Sequence, residues 1–201
     1  MEFRIRVCRH GHSPHEGNDA ARGLDDLGRQ QIRDTAQNRF PKTVEPILVL
    51  TSRKERARET LEILLRETGN EKLIPEIIPL HGLDYSWPMA NGGVTNFMYG
   101  PEHDNVLTVS QIMKNHPEFT SLIRGMLWGS LMTAIRMHRY SWKAYAPDEI
   151  WVASHSPFGE FLTPDPVSTT RRPNGGGFTF ILDIPRDEEE GVVTGHSLEL
   201  F

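Results

Sequence analysis

Three apolar runs of strand length each break off into a cluster of polar, titratable residues, and that arrangement constrains the fold more than anything else in the chain. Phe3, Ile5 and Val7 alternate with Glu2, Arg4 and Arg6, a period of two that marks a strand. The run ends at the turn around Gly11, in the stretch "VCRHGHSPHE". "ILVL", Ile47 to Leu50, runs straight into "TSRKERARET". Its unbroken apolarity is that of a strand buried on both faces. "EIWVAS", Glu149 to Ser154, runs into "HSPFGE".

Helical patterns lie between these runs. One covers about Leu27 to Arg39 and is stopped by Pro41. A second follows Thr51 or Ser52, either of which can cap it, with Ala57, Leu61, Ile63, Leu64 and Leu65 as its apolar side. A third runs from about Glu118 to Trp142, with Phe119, Leu122, Ile123, Met126, Leu127, Leu131, Ala134 and Ile135 at helical spacing. In that helix Met126 and Trp128 read as core. "EIIPL" (Glu76 to Leu80) and "GFTFILDI" (Gly177 to Ile184) read as further strands, and Val192 to Leu200 as a closing one. Strands alternating with helices predict a three-layer α/β/α sandwich around a mostly parallel sheet. The 201 residues suit one domain. Within it, residues 84–117 form a loop-rich insertion of glycine, proline, asparagine and aromatic residues, and loops of that length usually serve function.

The charge balance narrows the function. A net charge of -5 gives no basic footprint for nucleic acid. No apolar run approaches the roughly 20 residues that span a bilayer, and "MEFRIRV" alternates charge and apolarity unlike a secretion signal. The single cysteine, Cys8, has no partner for an internal disulfide and reads as a small buried residue. These features predict a cytoplasmic protein without a membrane or nucleic-acid partner; oligomeric state is not legible. His10, His12, His15 and Glu16 together invite a metal reading, but ligands on one loop do not fix a tetrahedral geometry, and no cysteine partners exist. No metal or cofactor is expected.

In an open α/β sheet ligands gather beyond the carboxyl ends of the strands. The three polar clusters each follow a strand, so all can share one rim. There the sequence resembles the histidine phosphatase superfamily, which includes the phosphoglycerate mutases. "RHGHS" resembles its Arg-His-Gly signature, "GLDDLGRQQIRDTA" the helix that follows, "TSRKERARET" its Ser…Arg-Ala…Thr motif, and "VASHS" the strand end that delivers a second histidine. The resemblance covers nearly the whole chain, least between residues 84 and 148. It implies a phosphoglycerate mutase-like fold, His10 as nucleophile, and Arg9, Arg56 and His155 as its phosphate cradle. Arg56 is preferred to its neighbours because it precedes Ala57, which leaves Arg53 and Arg58 for solvent or a substrate tail. Gly11, His12, Ser13 and Glu16 would line the substrate.

The chemistry suits those residue types. A neutral imidazole attacks phosphorus and divides one hard step into two. Guanidinium forks match phosphate oxygens, and phosphoryl transfer needs mainly positioning and charge stabilisation. The departures are informative. Members acting on phosphate esters carry a glutamate as general acid, and Gly82 stands at that position here; Asp84 is the nearest substitute, ahead of His81 and Glu160. Glu16 stands where sugar-phosphate mutases have asparagine. The expectation is therefore a metal-independent phosphatase acting on a phosphorylated small molecule or phosphoprotein, with a phosphomonoester or phosphohistidine as the reacting group and inorganic phosphate as product. A catalytically weak phosphate sensor is the alternative, and a phosphoglycerate mutase a third. Arg171 and Arg172, before Asn174 and three glycines, read as part of a flexible loop, and "RDEEEG" as a solvated turn.

Overall fold

A computed structural model describes residues 2–14, 18–42, 44, 46–83, 109–141, 149–155, 173–183 and 199–200. In chain order these form β1 (Glu2–Arg9), α1 (Asp26–Arg39), β2 (Leu48–Thr51), α2 (Glu55–Glu67), β3 (Ile78–Pro79), α3 (Val109–Asn115), α4 (Pro117–Ser141), β4 (Glu149–Ser154), β5 (Gly177–Asp183) and β6 (Glu199–Leu200). One sheet joins the strands in the order β3-β2-β4-β1-β5-β6. The pairs among β1 to β4 are parallel, while β5 runs antiparallel to β1 and to β6. The sheet is thus mostly parallel, as the alternation of elements predicts.

Both faces are covered, which makes the three layers. Phe3, Ile5 and Val7 share one face with Leu50, Val152, Phe178 and Phe180, packed against Ile123, Leu127, Leu131 and Ile135 of α4. Cys8, Val49, Trp151 and Ala153 share the other with Ile32 and Ala36 of α1 and Ala57, Leu61, Leu64 and Leu65 of α2. β2 and β4 are buried at every position, which explains their continuous apolar runs. Cys8 is fully buried, and burial pushes its thiol up to about 12.

Several local expectations are corrected. Neither Thr51 nor Ser52 caps α2. Thr51 is the last residue of β2, and Lys54 holds the cap position without a side-chain bond. The Ala20 carbonyl takes the Glu55 N–H instead, so a distant loop supplies the acceptor. The strand at 76–80 shrinks to Ile78–Pro79, preceded by a 3-10 turn over Glu71–Glu76, because Pro75 and Pro79 have no N–H for a ladder. The insertion is not loop throughout. α3 lies inside it, too short to show periodicity, with Ile112 buried against the sheet; residues 84–108 lie outside the described residues. On α4 the buried stripe steps by four through Ile123, Leu127 and Leu131, which leaves Leu122 on another face, 55% exposed. Trp128 meets the Phe180 ring and is only partly buried. Asn174 and Gly175 form a turn that leads into β5 at Gly177. Gly175 has φ +78, and its N–H reaches the Arg9 and His10 carbonyls. Of the closing strand, Glu199–Leu200 are described.

Candidate active site

The register of three parallel strands sets the site. Arg9 pairs with Ser154 and Thr51 with Ala153, so β1, β4 and β2 finish level. The pattern runs one residue further, with His10 N–H on the Ser154 carbonyl and Ser52 N–H on the Ala153 carbonyl, both at 3.1 Å. The next side chains along this rim are those of His10, His155 and Ser52.

The two imidazoles meet edge to face, their ring centres 4.9 Å apart. His10 Nδ1 lies 2.6 Å from the Gly11 carbonyl. A carbonyl can only accept, so Nδ1 carries the hydrogen. The Arg56 Nε–H donates to His10 Nε2 at 3.3 Å, and a guanidinium can only donate, so Nε2 holds the lone pair. Both contacts specify one tautomer, with the unprotonated nitrogen facing an arginine. Burial pushes the His10 pKa down from 6.5 to about 3; the Gly11 hydrogen bond opposes this, and the charges of Arg56, Arg9 and Arg22 add to it. His155 is fully buried and held well below 6.5, by burial first and then by His10, Arg56, Lys54 and Arg9. Its Nε2 lies 2.8 Å from Ser52 Oγ, which also accepts the Lys54 N–H. Ser52 therefore orients the second histidine. Both rings are neutral at physiological pH.

Arg56 sits in the first turn of α2, its side chain 3% exposed. The Asp19 carbonyl accepts from its Nη1 at 2.7 Å, and the Asp19 carboxylate pairs with the same atom at 3.1 Å. That carboxylate also pairs with Lys54 and Arg22, each at 2.6 Å. Burial works to raise the Asp19 pKa, but the Lys54 hydrogen bond and the charges of Arg56, Lys54 and Arg22 win and hold it below 3.8.

Gly11 and Gly28 serve close packing. A Cβ on Gly11 would strike the Gly28 carbonyl, and one on Gly28 would strike the His12 carbonyl, so the loop after β1 lies flush on the start of α1. Gly11 needs no positive φ; the two positive values among the described glycines belong to Gly69 and Gly175.

The structure brings His10, Arg56 and His155 together, and the charge of Arg9 acts on both histidines. His12 and Ser13 each have a partner within the fold. The His12 Nδ1–H donates to Asp25 Oδ2 at 2.6 Å, while Asp25 Oδ1 caps α1 through the Gly28 N–H. The Ser13 hydroxyl donates to the Gly23 carbonyl at 2.8 Å. Arg53 is exposed, and Arg58 pairs with Glu62. Glu16, Asp84, Glu160, Arg171 and Arg172 lie outside the described residues. Gly82 is described, within a 3-10 turn over His81–Leu83. A Cβ there would strike Ser130 Oγ and the Met126 carbonyl of α4. The position therefore cannot carry a glutamate without displacing α4.

Sequence reasoning missed Asp19, Arg22, Lys54 and the orienting role of Ser52. For Lys54 a signal existed: a lysine two residues before Arg56, at the start of a helix whose next turn is apolar. Asp19 and Arg22 stand in a stretch with no periodicity. Among the described residues no group of three or more histidine, cysteine, aspartate or glutamate residues could hold a metal ion. None of the described helices is long and apolar enough to cross a membrane. An apolar groove of about 650 Å³ runs between Leu48, Ile78 and Leu80 and the Gly125–Met137 side of α4, and shares no residue with the histidine cluster.

No protein-family model and no curated relative matches the chain. Solved structures do. Phosphoglycerate mutase from Bacillus anthracis str. Sterne matches with a TM-score of 0.64 and 15% identity, over 100% of this chain and 92% of that one. A mycobacterial glucosyl-3-phosphoglycerate phosphatase matches at 0.57 and 15%, over 100% and 97%. The protein histidine phosphatase SixA, solved with tungstate, matches at 0.50 and 22%, over 90% and 89%. The fold is therefore the phosphoglycerate mutase-like α/β/α sandwich that the motifs implied. It is a fold on which a mutase, a sugar-phosphate phosphatase and a phosphohistidine phosphatase are all built.

Proposed function

We propose that the chain is a phosphatase of the histidine phosphatase superfamily, forming a phosphohistidine on His10. The observation that carries this reading is the fixed tautomer of His10, whose Nε2 lone pair faces the Arg56 guanidinium with the His155 ring alongside. In the first step the Arg56 Nε–H turns from Nε2 to a phosphoryl oxygen, which frees the lone pair. The lone pair then attacks phosphorus as the bond from phosphorus to the leaving oxygen, or to the leaving imidazole nitrogen of a phosphohistidine, breaks. Arg9 and His155 complete the cradle, stabilising charge on the equatorial oxygens. Water attacks the phosphohistidine in the second step, the P–N bond breaks, and inorganic phosphate leaves. None of these steps calls on a metal ion.

The leaving group selects the substrate. An alkoxide needs a proton, and a general acid supplies roughly 10²–10⁴-fold. With position 82 closed by α4, that acid must come from elsewhere, and Asp84 is our candidate. Imidazole and carboxylate leave with less help, so phosphohistidine and acyl phosphate are the favoured substrates. The same closure favours, as second reading, a phosphate sensor that binds and turns over little. Product analysis with phosphoglycerate separates either from a mutase. His10→Ala should abolish hydrolysis of an aryl phosphate, read against wild type in the same assay; full activity in that variant rejects the proposal. Tight phosphate binding by the wild type with no turnover across a panel of phosphate esters and phosphohistidine selects the sensor.

A further inference from the structure

Arg22 belongs to no motif and lies on the loop that follows the first signature. Its neighbours on that loop are tied to the fold. The Ala20 carbonyl accepts from Glu55, the Leu24 N–H donates to Glu59, and the Gly23 carbonyl accepts from Ser13. The Arg22 side chain is only 14% exposed. Its Nη2 donates to Asp19 Oδ1, the same oxygen that pairs with Arg56 Nη1. Arg56 Nε in turn touches His10 Nε2. Arg22 is therefore one shared carboxylate oxygen away from the guanidinium that holds the nucleophile. Its charge is also among those that keep His10 neutral. The Arg22 Nε–H is buried and has no acceptor among the described residues. A buried donor without an acceptor is costly, and one in a native fold calls for an explanation.

We infer that Arg22 is a third guanidinium of the anion pocket, its buried Nε–H being the donor for an oxygen of the phosphoryl group bound at His10, with Asp19 as the carboxylate that fixes its direction. This rests on the phosphatase reading for the ligand and deepens it. Asp19 takes Nη2 and leaves the Nε–H without an acceptor, whereas a lysine at the same place keeps the ion pair and has no such second donor.

The difference between those side chains is the test. Binding of inorganic phosphate is measured by titration calorimetry, and kcat/KM with an aryl phosphate beside it, for wild type, Arg22→Gln and Arg22→Lys. Thermal melting confirms that each variant is folded. Both variants should bind phosphate more weakly, Arg22→Gln by about tenfold or more and Arg22→Lys by at least about fivefold, as expected for loss of a charge-assisted hydrogen bond. If Arg22→Gln fails to fold, Arg22→Lys carries the test, because it retains a cation for Asp19. Phosphate affinity of Arg22→Lys within twofold of wild type overturns the inference and makes Arg22 a strut for Asp19. A wild type that neither binds phosphate nor hydrolyses any ester overturns the phosphatase reading itself, and this inference with it.

Discussion

Two clusters of charge lie by β1 and β4, one toward each end of the same parallel pair. At the amino end Glu149, 3% exposed, receives both Arg6 Nε and Nη2 at 2.8 and 3.0 Å, and the Trp151 indole N–H at 3.2 Å. Arg6 also donates to the Arg39 carbonyl and lies over the Phe40 ring. The half-exposed Arg4 pairs with the Glu149 carboxylate at 3.6 Å. At the carboxyl end one carboxylate, Asp19, serves Arg22, Lys54 and Arg56 at once, next to two histidines held neutral. The amino-end pair spends its hydrogen bonds on the protein. The carboxyl-end cluster presents guanidinium edges and an imidazole lone pair to whatever binds there. The first charge set closes on the protein itself, and the second converges on His10, which makes it the candidate site.

That contrast can be broken from either end. The largest effect on stability belongs to Glu149→Gln, which leaves the Arg6 charge buried without its carboxylate. Unfolding in urea should show a loss of about 3–5 kcal/mol, with phosphate affinity per folded molecule unchanged. Arg56→Gln should show the reverse balance. Its kcat/KM should fall about 10²–10³-fold, the usual effect of removing a donor to developing negative charge, while the urea midpoint moves less than in Glu149→Gln. Equal losses of stability and activity in both variants would erase the distinction.

A smaller effect sharpens it through pH. The His10 pKa is about 3 in the folded chain and 6.5 unfolded, so between those values the unfolded chain binds more protons. Stability should be full above pH 6.5 and decline as pH falls toward 3. The depressed carboxyl of Asp19 adds to the loss in the same direction at the acid end. Urea midpoints from pH 7 to pH 4 should fall, and fall less steeply in His10→Gln. For the same reason the wild-type pH–rate profile should show no acid limb near 6.5 from the nucleophile.

The core of the fold was legible because β1, β2 and β4 are buried in regular ways. Alternation in Phe3, Ile5 and Val7 and continuity in 47–50 report one covered face and two covered faces respectively. The carboxyl-end rule lets the three polar clusters share one rim, and the family resemblance singles out His10, Arg56 and His155 within them. What stayed hidden depends on contacts distant in sequence. The cap of α2 is a carbonyl 35 residues away, at Ala20, so Thr51 and Ser52 looked like caps by composition alone. The partners of Ser13 and His12, Gly23 and Asp25, likewise lie ten and more residues on. Gly82 looked like a missing glutamate; only the backbone of α4 shows that no side chain fits there. Arg22 had no local signal at all.

The central claim is that His10 Nε2 accepts a phosphoryl group. Wild-type protein mixed with a labelled phosphoryl donor, quenched within a turnover and digested at high pH, tests it directly by mass spectrometry. The account predicts an acid-labile phosphoryl adduct on the peptide containing His10. Turnover of the donor with no adduct at that histidine, or with the label on another residue, would contradict it.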